Sequence, residues 1–163
     1  MEFKATRDNW AKGSTIFVTV LFTFFIVMGF VNHENGEKTA WIQAIGLSSL
    51  YVAVYLFSPK KYTVTLGGLI IHRPVNNIMI GKSQIKSVRI LDKKSISDAL
   101  RTFGVGGMFG YYGFFRNAGI GRMTWYVTRT DKVVLIRTVK GKQIVISPDD
   151  CEKFTEAIKG IIK

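Results

Sequence analysis

Two long apolar segments without a charge occupy the N-terminal third of the chain and limit what it can fold into. Residues 14–31 read STIFVTVLFTFFIVMGFV, and residues 39–58 read TAWIQAIGLSSLYVAVYLFS. Each is close to the ~20 residues that an α-helix needs to cross the hydrocarbon core of a bilayer. Neither segment has the polar face that a soluble amphipathic helix shows. The sequence therefore predicts two transmembrane helices.

The residues that flank these helices predict their orientation. The connecting segment, NHENGEK, is polar and contains the turn signal Asn35-Gly36, so the helices should form an antiparallel hairpin. Basic residues precede the first helix (Lys4, Arg7 and Lys12) and follow the second (Lys60 and Lys61). Because short cytoplasmic segments carry an excess of Lys and Arg, both termini are expected in the cytoplasm.

Charge divides the chain into two parts. Residues 1–58 contain four basic and four acidic residues, so the whole net charge of +12 lies in residues 59–163. We expect a transmembrane hairpin over residues 1–58 and a basic cytoplasmic domain over residues 59–163, which is long enough to bury one core. Cys151 is the single cysteine, so an intrachain disulfide is excluded.

The residues after Ser58 change from helical to alternating periodicity. Residues 62–66 and 69–73 flank Gly67-Gly68 and predict a β-hairpin. Further strands are predicted over residues 77–80, 85–91, 123–129, 133–138 and 143–147. A closing amphipathic helix is expected to begin with Ser147 as its N-cap and Pro148 at its first position.

Three stretches carry a resemblance to a known family. They are YTVTLGGLIIHRP in the first hairpin, RTFGVGGMFGYYGFF at residues 101–115, and VVLIRTVKGKQIVISPDDCEKF at the end. With the two preceding helices, they resemble the bacterial membrane-associated pleckstrin-homology-like (PH-like) domain family. The resemblance implies a two-helix transmembrane hairpin in the bacterial inner membrane, followed by a PH-like β-barrel or sandwich capped by a C-terminal helix. It implies no shared catalytic activity or ligand.

The run at residues 104–121 combines seven glycines and five aromatic residues with one charge. It is too rich in glycine for a helix and too apolar for an ordinary exposed loop. The run either packs on the barrel or on a second subunit, or dips into the membrane interface. The residues expected to make that contact are Phe109, Tyr111, Tyr112, Phe114 and Phe115. Its glycines match neither the dinucleotide fingerprint nor a phosphate-binding P-loop.

A basic surplus is the second candidate feature. Between Pro59 and Pro148 there are sixteen Lys and Arg against three Asp. Such a surplus attracts anionic lipid headgroups at ~1 kcal/mol for each well-placed side chain, or it only enforces topology. A specific headgroup site would need convergence of Arg73, Lys82, Lys86 and Arg89. Nucleic acid is not expected as a partner, because the aromatic residues are not interleaved with the basic ones.

Residues suited to enzyme chemistry are few. His33 lies in the predicted loop, His72 is alone on a strand, and these two histidines with Cys151 cannot make a metal site. We expect no enzymatic activity, no cofactor and no small-molecule substrate. The preferred hypothesis is a membrane-tethered binding or assembly module that forms a homo-oligomer. A sensor of anionic lipid is the alternative, and a channel or transporter subunit is disfavoured by the uncharged helices.

Overall fold

The computed structural model describes residues 1–34 and 39–162, with side chains for residues 1–31 and 42–162. In chain order the elements are β1 Glu2–Lys4, α1 Asn9–Glu34, α2 Thr39–Phe57, β2 Lys61–Thr65, β3 Gly68–His72, β4 Ile78–Gly81, β5 Ile85–Asp92, β6 Leu100–Gly106, β7 Tyr111–Asn117, β8 Gly121–Val127, β9 Lys132–Thr138, β10 Gln143–Ile146 and α3 Cys151–Ile162. The predicted Asn35-Gly36 turn lies outside the described residues.

Helix α1 begins five residues before the predicted start of the first apolar segment. Asp8 caps it, because the Asp8 carboxylate accepts a hydrogen bond of 2.7 Å from the Ala11 N–H. Residues 9–31 of α1 are long and apolar enough to cross a membrane by length and composition, and the described apolar part of α2, residues 42–57, is shorter. Most large apolar side chains of α1 are exposed, for example Phe17 and Phe24.

The two helices contact each other through Thr19, one of three threonines that recur every four residues along α1. We call Thr15, Thr19 and Thr23 the threonine stripe. The Thr19 hydroxyl lies 2.8 Å from the Tyr51 hydroxyl, and the Phe22 and Tyr51 rings are 5.5 Å apart. Gly46 of α2 is exposed, and nothing lies within 4 Å of the position that a Cβ would take. Ala44 is buried instead. Small size alone therefore does not identify the face of α2 that packs on α1.

The β domain contains two open sheets. One has the order β1-β2-β3-β4 and the other β5-β9-β10-β8-β7-β6. Neighbouring strands are antiparallel except β8 and β10, which are parallel. Each sheet keeps two edge strands, so the domain is a sandwich and not a closed barrel. The predicted hairpin of residues 62–66 and 69–73 is confirmed by the pairing of β2 with β3.

The main core lies between the sheets and beneath α3. Tyr62, Leu69, Ile146 and Phe154 are among its buried members. The Tyr62 hydroxyl donates a hydrogen bond of 2.6 Å to the Tyr126 carbonyl and accepts one of 3.2 Å from the Ser147 N–H. Burial raises the pKa of Tyr62 to about 12, so this hydroxyl stays a donor at neutral pH.

Helix α3 starts later than the sequence predicted. Asp150 caps it, since the Asp150 carboxylate accepts a hydrogen bond of 2.9 Å from the Lys153 N–H. The prediction of Ser147 as N-cap was wrong. Ser147 is buried at the end of β10, where its hydroxyl accepts a 2.7 Å hydrogen bond from the Thr128 N–H. The buried Thr128 N–H needs a hydrogen-bond acceptor, and supplying it outweighs the preference of Ser147 for a helix N-cap.

The first residues of the chain belong to the β domain and not to the helical part. Strand β1 pairs with β2 in antiparallel register, with Glu2 opposite Thr63. Phe3 is buried, and its ring lies 5.1 Å from the Phe154 ring in an edge-to-face contact. The sequence grouped these residues with the hairpin at residues 1–58, because a three-residue strand is too short to show an alternating pattern.

Candidate functional site

The glycine and aromatic run forms the β6–β7 hairpin, which the sequence did not predict as strands. Two glycines face each other across it, Gly104 and Gly113, with φ values of 118° and 123°. A Cβ on either residue would overlap the backbone of the opposite strand. The glycines that argued against a helix are therefore the residues that let two β-strands approach this closely.

The tip of the hairpin, residues 107–110, contacts both helices. The Phe109 N–H donates a hydrogen bond of 2.9 Å to the Thr15 hydroxyl of α1. Phe109 has φ 56°, a left-handed conformation that is uncommon for a residue with a side chain. At Gly107, a Cβ would lie 3.1 Å from the Ser14 hydroxyl, so a larger residue would crowd α1. We call the contact of residues 107–112 with residues 7–15 and 51–60 the junction.

The ring of Phe109 is enclosed by aromatic and basic side chains at the junction. Its centroid lies 5.4 Å from the Tyr51 ring and 5.3 Å from the Tyr55 ring of α2. The Arg7 guanidinium lies 5.2 Å from the Phe109 centroid, and the Lys60 ammonium lies 4.1 Å from the Tyr55 centroid. Burial, with a smaller effect from Arg7, lowers the pKa of Lys60 to about 8.

Two tyrosines continue the junction along β7. The Tyr111 hydroxyl donates to the carboxylate of Asp8, at 3.2 Å from Oδ2, and thereby contacts the N-cap of α1. The Tyr112 hydroxyl donates to the carbonyl of Val54 in α2. Burial raises the pKa of both tyrosines well above the usual range. Both therefore remain hydrogen-bond donors over the physiological range of pH.

The five aromatic residues singled out from the sequence thus have different positions. Phe109, Tyr111 and Tyr112 lie at the junction, within the same chain. Phe115 is buried on the outer face of the six-stranded sheet, where it stacks on Trp125 at 4.1 Å between centroids. Phe114 is 55% exposed and lies beside Phe103, which is 74% exposed on the edge strand β6.

The four basic residues predicted to bind a headgroup are separated by the fold. The Arg73 side chain bonds to Asn76, and its guanidinium lies 5.3 Å from the Phe57 ring centroid, next to α2. Lys82 and Lys86 lie beyond the other end of β4, and Arg89 is exposed in the middle of β5. Arg73 and Lys82 are thus at opposite ends of the strands.

A different group of basic residues lines one cavity. Arg116 of β7 is directly opposite Arg122 of β8, and the β9–β10 turn adds Lys140 and Lys142. The cavity has a volume of about 660 Å³ and also contacts Thr102, Phe114 and Gln143. We call the four basic side chains the basic groove. The sequence did not single them out, because the register that places Arg116 opposite Arg122 is visible only in the folded sheet.

The basic groove and the junction lie at opposite ends of the sheet. At the junction end, the Thr128 carbonyl just after β8 accepts a 3.1 Å hydrogen bond from the Asp8 N–H. Gly121 begins β8 at the other end, opposite Asn117. Strand β10 runs parallel to β8, so the turn that precedes it lies at the Gly121 end too. About seven residues of strand, roughly 20 Å, separate the two ends.

A second cavity, of about 730 Å³, lies beside the junction and contacts Arg7, Asp8, Lys93 and Arg129. Its charged groups are largely paired within the chain. Arg129 forms an ion pair with Asp131, and the Asp8 carboxylate accepts hydrogen bonds from the Tyr111 hydroxyl and from the Ala11 N–H of α1. This cavity therefore offers less uncompensated charge than the basic groove.

Residues with possible catalytic chemistry are dispersed. Within residues 1–34 and 39–162, no group of three or more His, Cys, Asp or Glu could hold a metal ion. The His72 ring shares a hydrogen bond of 2.9 Å with the Thr63 hydroxyl. Cys151 is buried, and burial raises the pKa of its thiol to about 11, which disfavours the reactive thiolate.

Comparison with known proteins supports the fold that these elements build. The family model described as "Bacterial PH domain" matches residues 60–162, which cover β2 to α3. A search of curated proteins and a search of solved structures found no match. The matched region is more than half of the chain and contains both the glycine and aromatic run and the C-terminal helix. The chain therefore belongs to the bacterial PH domain family.

Proposed function

We propose that this protein is a membrane-anchored binding module, in which α1 and α2 form a two-span hairpin that holds the PH-like domain at the cytoplasmic face. The junction is the observation that carries the proposal. Among the described residues, the hydrogen bonds and ring contacts that join the domain to the helices involve residues 7–15 and 51–60, and most large apolar side chains of the helices beyond them are exposed. Apolar surface that is exposed along most of a helix pair is stable when lipid covers it.

The chemistry of the junction suits the membrane–water interface. Arg7 and Lys60 lie next to aromatic rings there, and Trp10 is 72% exposed one turn before the apolar residues of α1. Aromatic and basic side chains are enriched at that depth of a bilayer. The junction also fixes the domain relative to the helices. The domain is held in one orientation instead of swinging on a linker.

The threonine stripe favours an anchor over a pore. Thr15 accepts a hydrogen bond from Phe109, and Thr19 bonds to Tyr51 within the same chain. These hydroxyls are therefore used for internal contacts. This use of the hydroxyls supports a role as an anchor and not as the lining of a pore.

A topology experiment tests the anchoring. Cys151 is replaced by Ser, and single cysteines are introduced at Gly36 or at Lys142. A membrane-impermeant maleimide is then added to intact bacterial spheroplasts. We expect labelling at position 36 in intact cells and at position 142 only after lysis. Extraction of the chain by alkaline carbonate, or labelling of position 142 from outside, would contradict the proposal.

Self-association through the edge strand β6 is a second candidate function. Leu100 and Phe103 are 75% and 74% exposed on β6, and no described strand pairs with its outer side. An unpaired apolar edge is a template for pairing with another chain, here a second copy. Its test is the mass of the complex in mild detergent. Phe103→Ser with Phe114→Ser should yield monomers, whereas Val139→Ser, at an exposed apolar residue elsewhere, should not; a wild-type monomer would refute the idea.

A further inference from the structure

We propose that the basic groove binds a soluble ligand that carries phosphate groups. The first observation is the like-charged pair of Arg116 and Arg122 at directly opposed positions of β7 and β8. Like charges directly opposite each other in a sheet destabilise it. Both side chains are exposed, and neither forms an ion pair with any described residue. A pair that costs stability and has no counter-ion among the described residues is suited to an anion from outside.

The surroundings of this pair add positive charge and hydrogen-bond donors. Lys140 and Lys142 line the same cavity, and no acidic residue of the described part of the chain does. Asp98, which hydrogen-bonds to Asn117 at the end of β7, is on the other face of the sheet, since Asn117 and Arg116 are successive residues of one strand. Thr102 and Thr124 also line the cavity.

The kind of ligand follows from the donors. An arginine presents a planar fork that matches two oxygens of one phosphate, and two such forks with two ammonium groups match a ligand with several negative charges. A volume of about 660 Å³ is in the range of small-molecule sites and exceeds that of one inorganic phosphate. The groove therefore fits a small, multiply phosphorylated molecule.

The source of the phosphate groups follows from the position of the groove. It lies at the end of the sheet that is farthest from the junction, roughly 20 Å along the strands. The Debye length at physiological salt is about 8 Å, so headgroups of the bilayer that holds α1 and α2 would attract these side chains only weakly. This step rests on the proposed anchoring, whereas the phosphate site itself does not. We therefore assign a soluble ligand and not a lipid.

Binding of inorganic tripolyphosphate to the full chain tests the proposal. The protein is placed in nanodiscs of phosphatidylcholine, and the heat of binding is measured. We expect saturable binding that weakens about tenfold or more in Arg116→Gln with Arg122→Gln, the effect of losing charge-assisted hydrogen bonds. Arg89→Gln with Arg137→Gln is the matched control. It removes the same charge from two exposed arginines on the other face of the same sheet and should leave the affinity within about twofold.

Further measurements distinguish a soluble phosphorylated ligand from a lipid and from an acidic peptide. Nanodiscs enriched in phosphatidylglycerol should leave tripolyphosphate binding intact, and competition by that lipid would refute the soluble source. A polyglutamate peptide that bound as tightly would refute the assignment to phosphate. Lack of saturable binding, or an equal loss in the control variant, would refute the site itself. The melting temperatures of both variants report folding, and the maleimide experiment above reports anchoring independently.

Discussion

The backbone N–H of Phe109 and the hydroxyl of Thr15, 94 residues apart in the chain, form a hydrogen bond of 2.9 Å that joins the β6–β7 hairpin to α1. Thr15 also donates to the Ala11 carbonyl one turn earlier, at 2.6 Å, so its hydroxyl is held in place to accept. A threonine in the apolar part of α1 is thus an acceptor for the backbone of the β domain.

Thr15→Val tests this relationship with little change of shape. The Phe109 N–H would lose its acceptor, and we expect the β domain to be destabilised by about 1 kcal/mol. Hydrogen exchange at Phe109 should accelerate more than exchange in β9. Thr23→Val is the control, because Thr23 is exposed and its hydroxyl bonds only to the Thr19 carbonyl of its own helix. Equal effects of the two variants would argue against a specific role for Thr15.

Phe109→Ala should loosen the junction. The ring is buried among Tyr51, Tyr55 and Arg7, and removal of a buried phenylalanine ring typically costs about 3–5 kcal/mol. We expect a lower melting temperature together with new proteolytic cleavage at residues 107–110. Leu66→Ala, at an exposed position of the β2–β3 turn, should change neither property. Unaltered protection of the tip in Phe109→Ala would mean that the ring does not hold the junction.

Gly113→Ala should disrupt the β6–β7 hairpin. Gly113 has φ 123°, and a Cβ there would overlap the Phe103 carbonyl. We expect a loss of stability of at least about 2 kcal/mol, measured by denaturant unfolding, because backbone strain alone costs about 1–3 kcal/mol. Gly119→Ala provides the matched control, since nothing lies within 4 Å of its Cβ position. A well-folded Gly113→Ala with native stability would show that the strands need not approach this closely.

Lys60 makes the stability of the β domain depend on pH. Burial lowers its pKa in the folded state to about 8, below the value of about 10.4 for a free lysine. Between these values the unfolded state binds more protons, so stability should rise with pH over this window and be flat below about 8. Lys60→Met should flatten that rise, and Lys94→Met, at an exposed lysine, should preserve it. NMR titration of the Lys60 side chain measures the pKa directly; an ordinary value would contradict the prediction.

Much of the fold was accessible from the sequence because its signals are local. The apolar segments, the β2–β3 hairpin with its glycine turn and the amphipathic face of α3 each follow from spacing within one element. The β6–β7 hairpin was missed because its glycines conceal the alternating pattern. The start of α3 was misplaced, since the buried partner of Ser147 is Thr128, which is distant in sequence.

The candidate sites depend on register and were therefore less accessible. The contact of Phe109 with Tyr55 depends on how the hairpin tip packs on α2, which no local pattern shows. That Arg116 faces Arg122 follows from the register of β7 and β8. A shift of one residue would send each side chain to the other face. Counting basic residues predicted an anionic partner, but it selected Arg73, Lys82, Lys86 and Arg89, which the fold places apart.

Strand β1 has a consequence for the order in which the protein is made. Glu2 pairs with Thr63, a residue that leaves the ribosome only after both helices. Strand β1 therefore stays unpaired until α1, α2 and β2 have been synthesised. A chain whose helices have not reached their final arrangement cannot bring these two strands together. The four-stranded sheet should thus be completed only in chains whose helices are correctly placed. A chain arrested before that point would keep an unpaired strand edge that chaperones or proteases recognise.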